Sequence, residues 1–149
     1  GYKDYVLDIL IIGGGNIGQN LSKLIEQDEQ QINLKILEYE KERCDFLASS
    51  LKNTAIFHGD ALDQSLYDEV KLNTSDLVIT VTDNDQINTI LSIISKKRGS
   101  KEQAPAMAKS IPMVMKKLKS AKARLAIAKA LKLKGKPLPS KIRKIFTNG

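Results

Sequence analysis

Gly13, Gly15 and Gly18 stand at the spacing G-x-G-x-x-G within G-G-G-N-I-G, and Glu38 follows twenty residues after the last of them. Together these four can hold a phosphate-linked ribose without a basic side chain. The first glycine allows a tight turn out of a strand, the second lets a pyrophosphate approach the backbone, and the third lets a helix pack closely on a sheet. The backbone N–H groups from Gly14 through Asn16 to Ile17 are then expected to face the phosphates, at a helix end carrying about half a positive charge. A carboxylate at the end of the next strand hydrogen-bonds ribose hydroxyls and repels a 2′-phosphate, so Glu38 favours NAD over NADP.

That chemistry needs a strand before the turn and a helix after it. Ile9, Leu10, Ile11 and Ile12 form an apolar run without alternation, as in a strand covered on both faces of a parallel sheet. Ile17, Leu21, Leu24 and Ile25 follow at helical spacing. A second strand is expected over Ile32–Leu37, ending at Glu38. A helix over Lys41–Leu51 turns Phe46, Leu47 and Leu51 inward, and a third strand covers Thr54–Phe57. Ser65-Leu66-Tyr67-Asp68 reads as a capping box opening a short helix through Val70. Asp76–Val81 is the fourth strand, and Thr82-Asp83-Asn84-Asp85 is a turn able to cap an apolar helix over Ile87–Ile94. Basic residues and a glycine at Lys96 to Gly99 suit that helix's end. Strands and helices alternating in this way imply a doubly wound parallel α/β sheet.

Other reactive side chains point to less. Asp60 sits at the carboxyl edge of the third strand, where the ligand crevice of an open α/β sheet lies. His58 is the only histidine and Cys44 the only cysteine; neither belongs to a metal-ligand cluster, and one cysteine forms no internal disulfide. Tyr67 and Lys71 match the Y-x-x-x-K pair of short-chain dehydrogenases, but they precede the fourth strand instead of following it, so they read as one face of a helix. No nucleophile–base pair or second substrate domain accompanies the glycine turn, which favours binding without turnover.

The order G-G-G-N-I-G, a second-strand Glu, H-G-D-A after the third strand and V-T-D-N-D-Q-I-N after the fourth resembles the regulator-of-potassium-conductance domain of the RCK or TrkA-N type. The likeness covers residues 7 to 100, with Thr82, Asp85 and Asn88 in register and Gln86 where Glu is common. It implies a Rossmann-like nucleotide-binding domain. Gly13, Gly14, Gly15, Asn16, Ile17 and Gly18 would hold the diphosphate, and Glu38 the adenosine ribose. Asp60 and Ala61 would lie beside the adenine, while Val81, Thr82 and Asp83 would border the rest of the ligand. It further implies NAD+ or NADH, alternatively ATP or ADP, as cofactor; a dimer or ring; a membrane potassium-translocating subunit as partner; and a cytoplasmic place at the inner face of the membrane.

Charge divides the chain. Residues 1–108 hold every acid and carry a net −6, whereas residues 109–149 carry +13 with no acid. The expected organisation is a nucleotide-binding domain over 1–108 and a basic amphipathic helical extension over 109–149. Within the extension, Val114, Leu118, Ala121, Leu125, Ala128 and Leu131 form an apolar stripe on a helix from about Pro112 to Lys134, with a second short helix from Ser140; Ile111–Met115 could instead add an edge strand. Such a tail can touch anionic lipid or an acidic partner surface, or pack on the sheet or a second subunit. Nucleic acid suits it poorly, because Phe146 is its one aromatic and Lys greatly outnumbers Arg. A small NAD-dependent oxidoreductase and a binder of nucleic acid or membrane surface are the alternative functions.

Overall fold

The computed structural model describes residues 6–28, 31–84, 86–87 and 120–133. Its centre is strand β1, Leu7–Ile12, in which Leu7 and Ile9 to Ile12 are almost wholly excluded from solvent. Side chains buried on both faces of a strand require neighbours on both edges and cover above and below. Helix α1, Asn16–Glu26, leads to β2, Ile32–Glu38; helix α2, Lys41–Ser50, leads to β3, Thr54–His58. A crossover with two 3-10 turns, Gln64–Leu66 and Leu72–Thr74, enters β4, Leu77–Thr80. All pairings are parallel, in the order β3-β2-β1-β4.

The order reverses between β1 and β4, because the chain steps one way through β2 and β3 and then returns to the other edge of β1. Right-handed crossovers place α1 and α2 on one face and the β3–β4 connection on the other. The register aligns Ile12 with Leu37 and Thr80, and Glu38 with His58, so the carboxyl ends of all four strands share one edge. The Rossmann-like α/β architecture expected from the alternation is therefore present. Leu21 and Ile25 of α1 and Leu47 of α2 join the core from one face, and Tyr67, Val70 and Leu72 of the crossover join it as well.

Three local expectations are corrected. Phe46 is 47% exposed; the inward positions of α2 are Cys44 and Leu47, continued by Leu51, and Phe46 lies a quarter-turn away with Arg43 over its ring. The segment after Asp60 forms no helix through Val70. Asp63, not Ser65, caps a 3-10 turn there by accepting the Ser65 N–H, and the Ser65 hydroxyl, aided by that N–H, holds the Asp63 carboxyl below the usual range. Lys71 then takes a left-handed conformation (φ 56°), so Tyr67 and Lys71 do not share a helix face.

The third correction concerns the basic segment. Its described helix, α3, runs Ala121–Leu133, and Ser120 interrupts the single helix expected from Pro112 by supplying a cap, the Oγ accepting from Ala123 N–H; residues 112–119 lie outside the described residues. The Ser120 N–H donates to Asp28 just past α1. Ala123, Ile127 and Ala128 are buried, and α3 packs against α1. Of the expected stripe Ala128 is inward, but Ala121 and Leu125 are exposed, so the described face is rotated; Val114, Leu118 and the Leu131 side chain lie outside the described residues. Ala123 and Ile127 are the residues of α3 that join the core, a choice of face that spacing alone does not reveal. The body of the Ile87–Ile94 helix, its basic end, the possible strand at 111–115 and the short helix from Ser140 lie outside the described residues. No described helix is long and apolar enough to cross a membrane.

Lys35 sits in the middle of β2, paired in register with Leu10 and Ala55, and is only 4% exposed. Its Nζ has no hydrogen-bond partner among the described residues. Burial pulls its pKa down; Asp8 opposes this and Lys71 adds to it. The folded state therefore binds the proton less readily than the unfolded chain, and stability rises as pH climbs from the lowered value towards the ordinary lysine range. Lys35→Met is expected to raise stability at neutral pH by about 1–2 kcal/mol. It should also flatten the alkaline rise, both being read from urea unfolding at several pH values. A loss of stability would show that the amine is satisfied in solution.

Candidate functional site

The turn after β1 is built from backbone demands. Gly13 has φ +109°, a region that L side chains rarely adopt, and a Cβ there would lie 2.8 Å from Thr82 N and from the Val81 carbonyl. Gly13 N–H donates to Leu37 O at 2.9 Å and Val81 N–H to Ile12 O at 2.8 Å, which extends the β1 pairings past its last residue on both sides. A Cβ on Gly18 would collide with the Gly13 carbonyl oxygen, so α1 can sit this low on the turn only with glycine at 18. Gly15 differs: its Cβ position is open, with Asp83 Oδ1 the nearest atom at 3.9 Å. Gly15 takes the N-cap position of α1 with extended geometry and no side-chain cap.

Gly14 is held from two sides. Its N–H donates to Glu38 Oε1 at 2.9 Å, and its carbonyl accepts from Arg43 Nε. This corrects the expectation that N–H groups from Gly14 onward face the phosphates. The Gly14 donor is spent on Glu38, and the N–H groups of Gly15, Asn16 and Ile17 remain without an acceptor among the described residues. The other Glu38 oxygen accepts the Glu40 N–H. Glu38 is thereby fixed at the mouth of the turn before any ligand arrives.

The edge after β3 is equally organised. Asp60 Oδ1 accepts Leu62 N–H at 2.9 Å, an Asx turn that shapes the 60–62 loop. Beneath it the buried Tyr67 hydroxyl donates to Ala61 O at 2.7 Å. That bond accounts for Tyr67 as a strut for the loop. After β4, Thr82 Oγ1 accepts Asn84 N–H, and Asn84 Oδ1 accepts Ile87 N–H, capping the helical residues 86–87. The cap expected in this turn is present, with the Asn84 side-chain oxygen as its acceptor.

These edges enclose one cavity of about 580 Å³. Of the residues singled out in the sequence, Gly13, Gly15, Glu38, Asp60, Ala61, Val81, Thr82 and Asp83 line it. Gly14 and Gly18 lie buried beneath the turn, while Asn16 and Ile17 open α1 beside it. The cavity stands at the strand-order reversal between β1 and β4, the place where open α/β sheets bind ligands. Its volume suits a small organic ligand or nucleotide.

Tyr39, Arg43, Leu62 and Asn84 also line the cavity and were not legible as site residues from spacing. Tyr39 is 70% and Leu62 39% exposed, large side chains on the lining of the cavity. Arg43 could have been noticed from the position of Phe46, three residues on, since the guanidinium lies 4.9 Å over that ring. His58 Nε2 meets Tyr39 O, a bond at the strand end. Among the described residues no group of three or more His, Cys, Asp or Glu is placed to hold a metal ion. The Cys44 thiol is buried, and desolvation, helped by Glu38, pushes its pKa up.

The TrkA-N domain family model matches residues 9–129. The Trk system potassium uptake protein TrkA homolog 2 of Methanosarcina mazei is 43% identical over 94 residues, which cover 63% of this chain and 21% of that protein. The TrkA protein of Vibrio alginolyticus is 37% identical over 94 residues, 63% of this chain and 20% of its own length. That of Haemophilus influenzae is 30% identical over the same span and share. The chain spans about a fifth of the length of these relatives.

Proposed function

This chain belongs to the TrkA-N domain family, and from that membership we propose that it is the nucleotide-sensing module of a Trk-type potassium-uptake system. Its cavity takes NAD(H), or alternatively ATP or ADP, and the ligand state is passed to a membrane potassium-translocating subunit by an assembly of two or more copies at the cytoplasmic face. The relatives' names supply the link to potassium uptake. The observation that carries the ligand reading is the meeting of the glycine turn, Glu38, the 60–62 loop and the 81–84 turn around one cavity.

Each group has a task in that reading. The N–H groups of Gly15, Asn16 and Ile17, reinforced by the helix end, hold the diphosphate. Glu38 accepts from the ribose hydroxyls while keeping its bond to Gly14. Asp60 and Ala61, with Leu62 and Tyr39 beside them, form the adenine end, and Val81 to Asp83 border the remainder. The function is binding without turnover. The Tyr67 hydroxyl is committed to the Ala61 carbonyl, and the Cys44 thiol is buried and held protonated.

Titration calorimetry with NADH, NAD+, ATP and ADP tests this. Binding of at least one is expected, with NADPH weaker than NADH because Glu38 repels the 2′-phosphate. Glu38→Ala should weaken the tightest ligand roughly tenfold or more, the worth of a hydrogen bond to a charged group. No heat with any adenine nucleotide would overturn the reading.

A further inference from the structure

Arg43 makes three contacts in or beside the site and has no carboxylate partner among the described residues. Its Nε donates to Gly14 O, its Nη2 donates to Gln19 Oε1 at 2.7 Å, and its guanidinium carbon lies over Phe46. These contacts tie α2 to the glycine turn and to the second turn of α1. On the opposite side Glu38 holds Gly14 N–H. The peptide groups on both sides of Gly14 are therefore clamped, one through its N–H from the end of β2 and the other through its carbonyl from α2.

The clamp has a direct chemical consequence. The peptide whose carbonyl Arg43 holds is the one whose N–H belongs to Gly15, the first of the three donors open to an anion. A peptide plane moves as one body, so fixing its oxygen fixes the direction of its N–H. Gly15 has no side chain to pack and Gly14 has none to brace it, so without Arg43 this plane is the loosest part of the turn. Donors aimed before binding are worth more than donors that must be ordered by the ligand.

We propose that Arg43 is a positioning residue for diphosphate recognition: it orients the Gly15 N–H through the Gly14 carbonyl and so selects adenine nucleotides bearing a diphosphate over the bare nucleoside. The inference rests on the nucleotide reading above. Glu38 is set for the ribose that both ligands share, whereas Arg43 acts only on the donors that the nucleoside does not use. Lysine cannot substitute, because a single ammonium lacks the fork that reaches Gly14 O and Gln19 Oε1 together.

The test compares ADP, by calorimetry, with adenosine, by ligand-observed NMR, on the unmodified chain and on Arg43→Gln, Arg43→Lys and Gln19→Leu. In the two Arg43 variants ADP affinity should fall roughly tenfold, as for loss of one charged hydrogen bond, while adenosine affinity stays within about twofold. Gln19→Leu, which frees one arm of the fork and leaves the Gly14 bond, should fall between them and the unmodified chain, and it serves as the readout if an Arg43 variant fails to fold. Equal losses for ADP and adenosine would overturn the proposal by showing that Arg43 touches the nucleoside itself. Unchanged ADP affinity in Arg43→Lys would overturn it too. If the unmodified chain binds NADH but not ADP, NADH takes the place of ADP in the comparison; if it binds no adenine nucleotide, it is the nucleotide reading that fails.

Discussion

Gly13→Ala is expected to destabilise the domain by about 3 kcal/mol or more, a large share of the 5–15 kcal/mol that holds a domain folded. Two costs act together. The backbone at 13 has φ +109°, and the added methyl would stand 2.8 Å from Thr82 N and the Val81 carbonyl. Those atoms are main chain, and Val81 is tied to Ile12, so they cannot swing away as a side-chain tip would. The strain therefore passes into the β1–β4 pairing at its carboxyl end. Gly18→Ala should be of similar size, since its methyl would press on the Gly13 carbonyl oxygen. Urea unfolding at constant slope measures both; a loss under about 1 kcal/mol at Gly13 would mean that the turn relaxes freely.

Gly15→Asp should give the opposite pattern, with binding weakened about a hundredfold or more in a protein of little-changed stability, the gain of a cap being set against the like charge of Asp83. The space at Gly15 is open, and its extended backbone at the N-cap of α1 is what an aspartate cap prefers. The new carboxylate would bond the free first-turn N–H groups, gaining about 0.5–1 kcal/mol of stability from the cap and the helix dipole. The same bond removes the anion donors and places a negative charge at the proposed diphosphate position, beside Asp83. Nucleotide affinity is expected to drop about a hundredfold or more. Calorimetry and thermal unfolding on one sample separate the two effects. Retained binding would move the phosphates away from the head of α1.

The two substitutions show why much of this domain is legible in its sequence. An unbroken apolar strand, a turn that only glycine can make and a carboxylate at the next strand's end are each dictated by local geometry. Their spacing survives folding unchanged, so the parallel sheet, and the gathering of Gly13, Gly15 and Glu38 at one edge of it, could be read directly, whereas the strand order could not. Phe46 could not. A phenylalanine near an inward leucine reads as core, and only the three-dimensional position of Arg43 gives its ring another use. The crossover after Asp60 was misread because Ser65 and Asp68 mimic a capping box, while Asp63, two residues earlier, reaches the same N–H first. In α3 the inward face is chosen by α1, which accepts Ala123 and Ile127 and leaves the equally apolar Leu125 outside. Arg43 and Tyr39 reach the cavity because α2 starts immediately beyond β2, a matter of helix direction that spacing does not encode.

The bond from Ser120 to Asp28 joins residues 92 positions apart and seats Ile127 against a helix that ends at Glu26. During ribosomal synthesis the strands and the glycine turn emerge and can pair long before that helix leaves the exit tunnel. The flank of α1 must wait, apolar and wet, for its cover. Closure of this late contact carries a high loop entropy and comes last in the order of assembly. The nascent domain thus passes through a stage in which its binding end is already shaped while its opposite flank is still open to chaperones or to premature association.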